Sequence, residues 1–194
     1  MGCWAMEFSQ GLTLVQRVNT IERMSRWARA SFSIWKTVED LIDPDGSMND
    51  LEQWKPFLLV DGHIHRDVAL LYLHNLYERR KDTINILSMI RHFKAHGLSE
   101  AMLDLEVSLR AYDLEIRKLG TIRGFAIGHR TTTESYDEVF ARAKLGLNDV
   151  DDLIDLAQGA AKTFAMTAGV TAPASFVDPA EVFVAMLHKL SADQ

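Results

Sequence analysis

The stretch MLDLEVSLRAYDLEIRKLGTIRGFAIGHR, Met102 to Arg130, decides how this chain is read. Its apolar residues fall at Met102, Leu105, Leu109, Tyr112, Ile116 and Leu119, in alternating steps of three and four, the spacing of the buried seam of a packed helix. The same rhythm lands next on Arg123 and then on Ala126. A guanidinium at a seam position needs a partner, because burying an unpaired charge costs several kcal/mol or more, on the order of a whole domain's stability. His129 follows six residues later, so this helix end offers one side chain able to hold a phosphate and one able to move a proton.

Spacing alone does not single out this pair. With 13 arginines and 7 histidines in 194 residues, an arginine followed by a histidine four to six positions on arises by chance roughly 1.4 times. A second match is present in Arg91-His92-Phe93-Lys94-Ala95-His96-Gly97. There His96 stands directly before a glycine, where an imidazolium complements the negative helix C-terminus and glycine closes the helix, so a stabilising cap accounts for it. No such account fits His129. Beside it, Gly124 and Gly128 lie four apart on one helix face, at a cost of roughly 1 kcal/mol each relative to alanine. Something must therefore approach that backbone closely. Another helix, within the chain or across a dimer axis, is one candidate, and an RNA phosphate is the other. Packing is the commoner use of a helical glycine and is the expectation here.

Working outward, the flanking segments are helical too. From about Leu12 to Ile42 a stripe runs through Leu14, Val18, Ile21, Trp27, Ile34, Trp35, Val38 and Leu41, until Asp43-Pro44-Asp45-Gly46 stops it. Asn49 with Glu52 reads as a capping box opening a second run through Trp54, Phe57, Leu58, Ile64, Val68, Leu71 and Tyr72 to about Arg80, with Pro56 and Gly62 as the places where it would divide. Asp82 or Thr83 is expected to cap a third helix carrying Ile86, Ile90 and Phe93 and closed by Gly97, and Ser99 a long fourth one that ends in the Arg-His segment. A short helix around Tyr136 to Lys144 follows. An acidic start at Asn148, Asp149, Asp151 and Asp152 then leads into Val150, Leu153, Ile154, Leu156 and Phe164. Asp178-Pro179-Ala180-Glu181 starts a last helix with Phe183, Met186 and Leu187. Neither a convincing strand alternation nor a repeat of 20–50 residues is present. The expectation is an all-α protein, an up-and-down antiparallel helical bundle with additional N- and C-terminal helices. It forms a single domain over residues 1–194, with a core at about 50–168 and terminal helices at about 12–42 and 179–190.

Composition narrows the function classes. Hydrophobic residues make up 47% and charged residues 25% of 194, ordinary globular material that hides roughly 70% of its unfolded surface. The net charge of −6 disfavours a general DNA-coating protein. Basic residues nevertheless gather at Arg79-Arg80-Lys81 and at Arg110, Arg117, Lys118, Arg123 and Arg130. Each of these except Arg123, which its seam position sets apart, reads either as a solvated face or as part of a local basic patch. The single cysteine, Cys3, allows neither an internal disulfide nor a cysteine-rich zinc site, and the cytoplasm is the plain expectation. Gly2 is followed by Met6 where a myristoylation signal wants Ser or Thr, no signal peptide is evident, and no apolar run approaches the ~20 residues of a membrane span.

Other candidate sites are weaker. His63 and His65 are two apart and point to different helix faces, and His92 and His96 share a face with nothing to complete a metal set, so no metal and no cofactor is expected. His74 and His188 carry no pattern. A serine elbow and phosphate-binding glycine loops are absent. The four tryptophans, Trp4, Trp27, Trp35 and Trp54, default to core or dimer contacts.

The Arg-x5-His pair on a bundle helix, in this succession of helices, resembles the HEPN superfamily, specifically its abortive-infection U-type branch. The likeness spans about Trp54 to Phe164. It rests on Arg66-Asp67-Val68-Ala69-Leu70-Leu71, on Tyr77-Glu78-Arg79-Arg80-Lys81-Asp82-Thr83, on Arg123 to His129, on the Tyr136-bearing helix and on Leu153-Ile154-Asp155-Leu156, in that order. The resemblance implies a helical bundle that dimerises and brings two Arg-His pairs to its interface. In active members it implies a metal-independent endoribonuclease of phage defence or of a toxin–antitoxin pair, with RNA as substrate and an antitoxin protein as a further partner. Arg123 and His129 would be the catalytic pair, with Arg130, Arg117, Lys118, Arg79 and Arg80 as RNA-binding residues. Two positions depart from the family pattern: Gly124 stands where a polar residue often follows the arginine, and Thr131 where the branch paired with nucleotidyltransferase antitoxins has tyrosine.

On one regular helix, six residues separate two side chains by about 9 Å along the axis and about 120° around it, so Arg123 and His129 of one chain diverge. A two-fold axis beside this helix would bring the arginine of one copy to the histidine of the other, with Gly124 and Gly128 permitting the approach. His129, with an ordinary pKa near 6.5, would take the proton from an RNA 2′-hydroxyl or give one to the leaving 5′-oxygen, while Arg123 holds the scissile phosphate. Two other classes remain open at this point. A non-catalytic dimerisation or interaction module would pair Arg123 with an acidic residue and shut it from solvent. A small-ligand receptor would show an apolar pocket lined by Trp and Met.

Overall fold

Thr13 starts the first helix with a complete capping box: its hydroxyl accepts from the Gln16 N–H at 3.2 Å, and the Gln16 side chain accepts from the Thr13 N–H at 2.8 Å. The computed structural model describes residues 12–128, 134–171 and 179–192, and every regular element among them is helical. Helix α1 spans Leu14–Asp40, α2 Lys55–Tyr77, α3 Ile86–Ala95, α4 Leu103–Ala111, α5 Asp113–Ile122, α6 Tyr136–Ala143, α7 Leu147–Ala168 and α8 Pro179–Ala192. Short 3-10 turns at Asn49–Trp54 and Glu100–Met102 lead into α2 and α4, and a π-helical turn, Arg123–Gly128, follows α5 without a break. This is an all-α helical bundle. No helix among the described residues is long and apolar enough to cross a membrane.

The expected seam is buried: Met102, Leu105, Leu109 and Leu119 are core residues, Tyr112 and Ile116 pack against them, and Ala126 is buried one turn beyond Arg123. The long fourth helix is not continuous, however. Tyr112 takes φ −100° and ψ 16°, outside the helical basin, and divides it into α4 and α5. Helix α1 does more than flank the bundle. Val18, Ile21, Ala28 and Phe32 share one core cluster with Leu73 of α2, Phe93 of α3 and Ile154 and Phe164 of α7, where the Phe93 and Phe164 rings stack at 5.6 Å. Trp27, expected in that stripe, is 48% exposed, and Phe32 occupies the core instead. Arg29 of α1 ties the surface of the same contact by pairing with Asp151 and Asp155, one turn apart on α7.

Helices α1 and α2 run antiparallel: Val38, near the end of α1, meets Gly62 near the start of α2, while Met24 and His74 line one cleft at the other end. A Cβ on Gly62 would lie 2.9 Å from Val38 Cγ1, so this glycine sets how closely the two helices approach. Rather than dividing the run, it sits inside an unbroken helix. A smaller cluster, Val38, Met48, Leu51 and Leu58, is covered by Leu187 of α8.

Caps fall partly where the sequence puts them. Gly97 takes φ +81°, and the Leu98 and Gly97 N–H groups reach the Phe93 and Lys94 carbonyls at 3.1 Å each, a Schellman closure. His96 completes it, its Nδ1 2.8 Å from the His92 carbonyl. Helix α3 is capped by neither Asp82 nor Thr83 but by Asn85, which exchanges a capping box with Ser88. Ser99 makes no side-chain capping bond. Glu52 does reach back, accepting from the Met48 N–H at 2.8 Å, but it opens a 3-10 turn one residue earlier than expected.

Candidate functional site

The end of α2 and the middle of α5 do not close on each other, and between them lies a cleft of about 860 Å³. Met24 of α1 forms part of its floor. His74, Asn75, Tyr77, Glu78, Arg79 and Arg80 supply one wall, Ile116, Arg117, Gly120 and Arg123 the other, and Thr83 and Ile84 the end. Four arginines against one carboxylate make this lining electropositive.

Local chemistry fixes the first wall. Tyr77 is buried and donates its hydroxyl to the Leu153 carbonyl of α7 at 2.5 Å, which anchors the last turn of α2 to the core. Burial first, and Tyr112 second, push that phenol well above its ordinary pKa, so it stays a donor. Beyond Tyr77 the chain leaves the helix at Glu78, in extended conformation. Asn85, fully buried, then pins the connecting loop: its amide donates to the Arg80 carbonyl and to the Thr83 hydroxyl at 2.8 Å each. That loop is what presents Arg79 and Arg80 at the rim.

The arginines differ in what they touch. Arg79 and Arg117 share one carboxylate, Asp113, at 2.5 and 2.6 Å, and both are about two-thirds exposed, at 66% and 70%. Arg80 pairs with Asp82 at 2.6 Å. Lys118 lies off the cleft, between Glu115 at 3.8 Å and Asp149 at 3.7 Å. Arg123 is partly buried in the cleft wall, and among the described residues no carboxylate pairs with it.

Opposite Arg123 stands His74. Burial first, and the positive charge of Arg123 second, hold its imidazolium below the ordinary histidine range, with Asn75 and Glu78 acting in the opposite sense. Its Nδ1 is buried and has no hydrogen-bond partner among the described residues. The sequence reading gave His74 no role. Its helical phase was the available signal: it lies four residues after buried Leu70 and three before buried Tyr77, on the face turned toward the bundle.

His129 and Arg130 lie outside the described residues, as does Thr131. Gly128 closes the π turn. Among the described residues Gly124 does not pack: a Cβ there would meet nothing within 4 Å, and the same holds for Gly120. The expectation that Gly124 admits a neighbouring helix is therefore not met within the chain. That role belongs to Gly62.

On the other side of the π turn is a second cleft, of about 480 Å³, lined by His63, Arg66, Asp67, Phe125, Ala126, Glu134, Ser135 and Tyr136. Here the arginine is enclosed. The Arg66 guanidinium lies 4.6 Å from the Tyr136 ring centre and 4.8 Å from that of Phe140, with Asp67 3.5 Å away. Tyr136 donates its hydroxyl to the same Asp67, and its pKa is raised by burial and by that bond. Among the described residues no three His, Cys, Asp or Glu side chains gather as a metal site. Comparisons of the chain with protein-family models, with curated proteins and with solved structures find no match.

Proposed function

We propose that this protein is a metal-independent endoribonuclease of the HEPN type, acting as a homodimer in a phage-defence or toxin–antitoxin setting. The observation that carries the reading is Arg123: a partly buried guanidinium with no carboxylate partner among the described residues, set in an open cleft with Arg79, Arg80 and Arg117. A structural arginine on a helix seam is neutralised by an acid, because a lone buried charge is costly. One left without an acid beside three other cations suits an anion that arrives with the ligand, and an RNA phosphate accepts the planar fork with two parallel hydrogen bonds. The non-catalytic module needs the reverse, an arginine paired and shut off.

In the proposed reaction Arg123 holds the scissile phosphate and favours the charge that builds on its oxygens. His129, from the same chain or its mate, transfers the proton, and the 2′-oxygen attacks to leave a 2′,3′-cyclic phosphate and a free 5′-hydroxyl. The open space over Gly120 and Gly124 leaves backbone that a sugar-phosphate chain or a second protomer can reach. The test is cleavage of single-stranded RNA in the presence of a chelator, with the fragment ends identified. The proposal expects cyclic phosphate ends and loss of cleavage in His129→Ala and in Arg123→Ala. Cleavage at the parent's rate by both variants sinks it.

A further inference from the structure

Building on the ribonuclease reading only in that Arg123 meets a phosphate, we propose that the cleft between α2 and α5 is a phosphodiester clamp contained in one chain, in which His74 donates an N–H to the phosphate held by Arg123. The ligand class is single-stranded RNA, bound through its backbone. His74 and Arg123 line the same cleft from opposite walls. His74 Nδ1 is buried without a hydrogen-bond partner among the described residues, so in the clamp the cleft-facing role falls to Nε2. A buried N–H with no acceptor is the rarer and costlier orphan, so the single proton of the neutral ring sits on Nε2. That tautomer aims a donor, and not a base, at whatever Arg123 binds. Burial first, and the charge of Arg123 second, hold the ring below the ordinary histidine pKa, against Asn75 and Glu78.

The rest of the cleft extends the same strand. Arg117 and Gly120 of α5 and Arg123, the first residue of the π turn, all line the cleft, with about 9 Å of helix rise between the backbones of Arg117 and Arg123. Gly120 leaves the surface between them bare. Arg79 joins Arg117 through their shared Asp113, and the exposed remainder of both guanidiniums meets a second phosphate of the strand. One chain thus carries a complete two-phosphate track, whatever a dimer partner adds to the chemistry.

The test separates binding from cleavage by using a fluorescent 2′-O-methyl oligoribonucleotide, which keeps the phosphodiesters and lacks the attacking hydroxyl. Against the full chain at low salt, His74→Ala is expected to weaken binding about 5–10-fold, one hydrogen bond to a charged acceptor. His74→Gln places an amide N–H near the position of Nε2 and is expected to bind within about twofold of the parent, whereas His74→Asn, which reaches only as far as Nδ1, is expected to behave like alanine. Circular dichroism melting establishes that each variant is folded. A parent that does not bind this oligonucleotide, an alanine variant that binds as tightly as the parent, or a glutamine variant as weak as alanine overturns the clamp. Binding with the expected order of variants, together with native RNA left intact, upholds the clamp and discards the ribonuclease reading.

Discussion

One arginine opens the π turn and another lies beside it, and the two differ in what surrounds them. Arg66 is enclosed: two aromatic rings stack on it, Asp67 lies 3.5 Å away and its side chain is only 14% exposed, although its Nε has no hydrogen-bond partner among the described residues. Arg123 stands in a cleft whose wall it helps to form, beside other cations and across from a histidine kept neutral. A guanidinium that the fold stacks between rings and pairs with an acid is part of the fold, and one set in an open cleft without an acid is available to a ligand. The difference gives each site a distinct signature on substitution.

The largest effect separates the two on activity. Arg123→Ala is expected to lower RNA cleavage about 10²–10³-fold while leaving the melting temperature near the parent's, as for loss of one transition-state donor. Arg66→Ala is expected to do the reverse, losing about 2–3 kcal/mol of stability, read from urea unfolding, because it strands Asp67 and Tyr136 and empties a cation–π stack. If Arg123→Ala is instead the more destabilising of the two, the contrast fails and Arg123 is structural.

A second pair of sites sharpens the same distinction between filled and open. Gly62→Ala drives a methyl group to 2.9 Å from Val38 Cγ1 and is expected to cost about 1–2 kcal/mol, the overpacking outweighing the gain in helix propensity. Gly124→Ala meets nothing and is expected to stabilise by about 0.5–1 kcal/mol. Should Gly124→Ala also lower RNA binding, the bare backbone serves the ligand or the second copy. Unchanged binding with raised stability makes it a place left vacant.

The smallest effect is in pH. His74 and His92 both have folded pKa values held below the ordinary histidine value, by burial first, then by Arg123 for His74 and by His96 for His92. Between the folded and unfolded values the unfolded chain binds more protons, so stability is full above about pH 6.5 and falls as the pH is lowered past it. His74→Gln is expected to remove part of that decline. A parent whose melting temperature is flat from pH 7.5 to 5.5 contradicts the burial of these two rings.

Much of the fold was legible because helix periodicity is a local property. The run from Met102 to Leu119 predicted its own burial, and Gly97 and His96 their own cap. What escaped depends on contacts between distant segments. Asp82, Thr83 and Asn85 are all competent caps, and Asn85 wins because it alone is buried where it also holds Arg80 and Thr83. The kink at Tyr112 and the π turn leave the apolar rhythm intact, so periodicity does not register them. At the site, Arg123 was found by phase, since a charge on a seam is conspicuous. His74 was missed because its partner lies 49 residues away on another helix, beyond any spacing rule.

The turn from Arg123 to Gly128 has a consequence for how this protein tolerates change. Its i to i+5 bonding accommodates one more residue than the α-helix that precedes it. Deleting a single residue between Gly124 and Ile127 would let the segment rewind into ordinary helix, because the extra residue that the wider turn absorbs would be gone. At this position chain length and the kind of turn are linked: a conservative replacement keeps the wider turn, and a shortening by one converts it to α-helix.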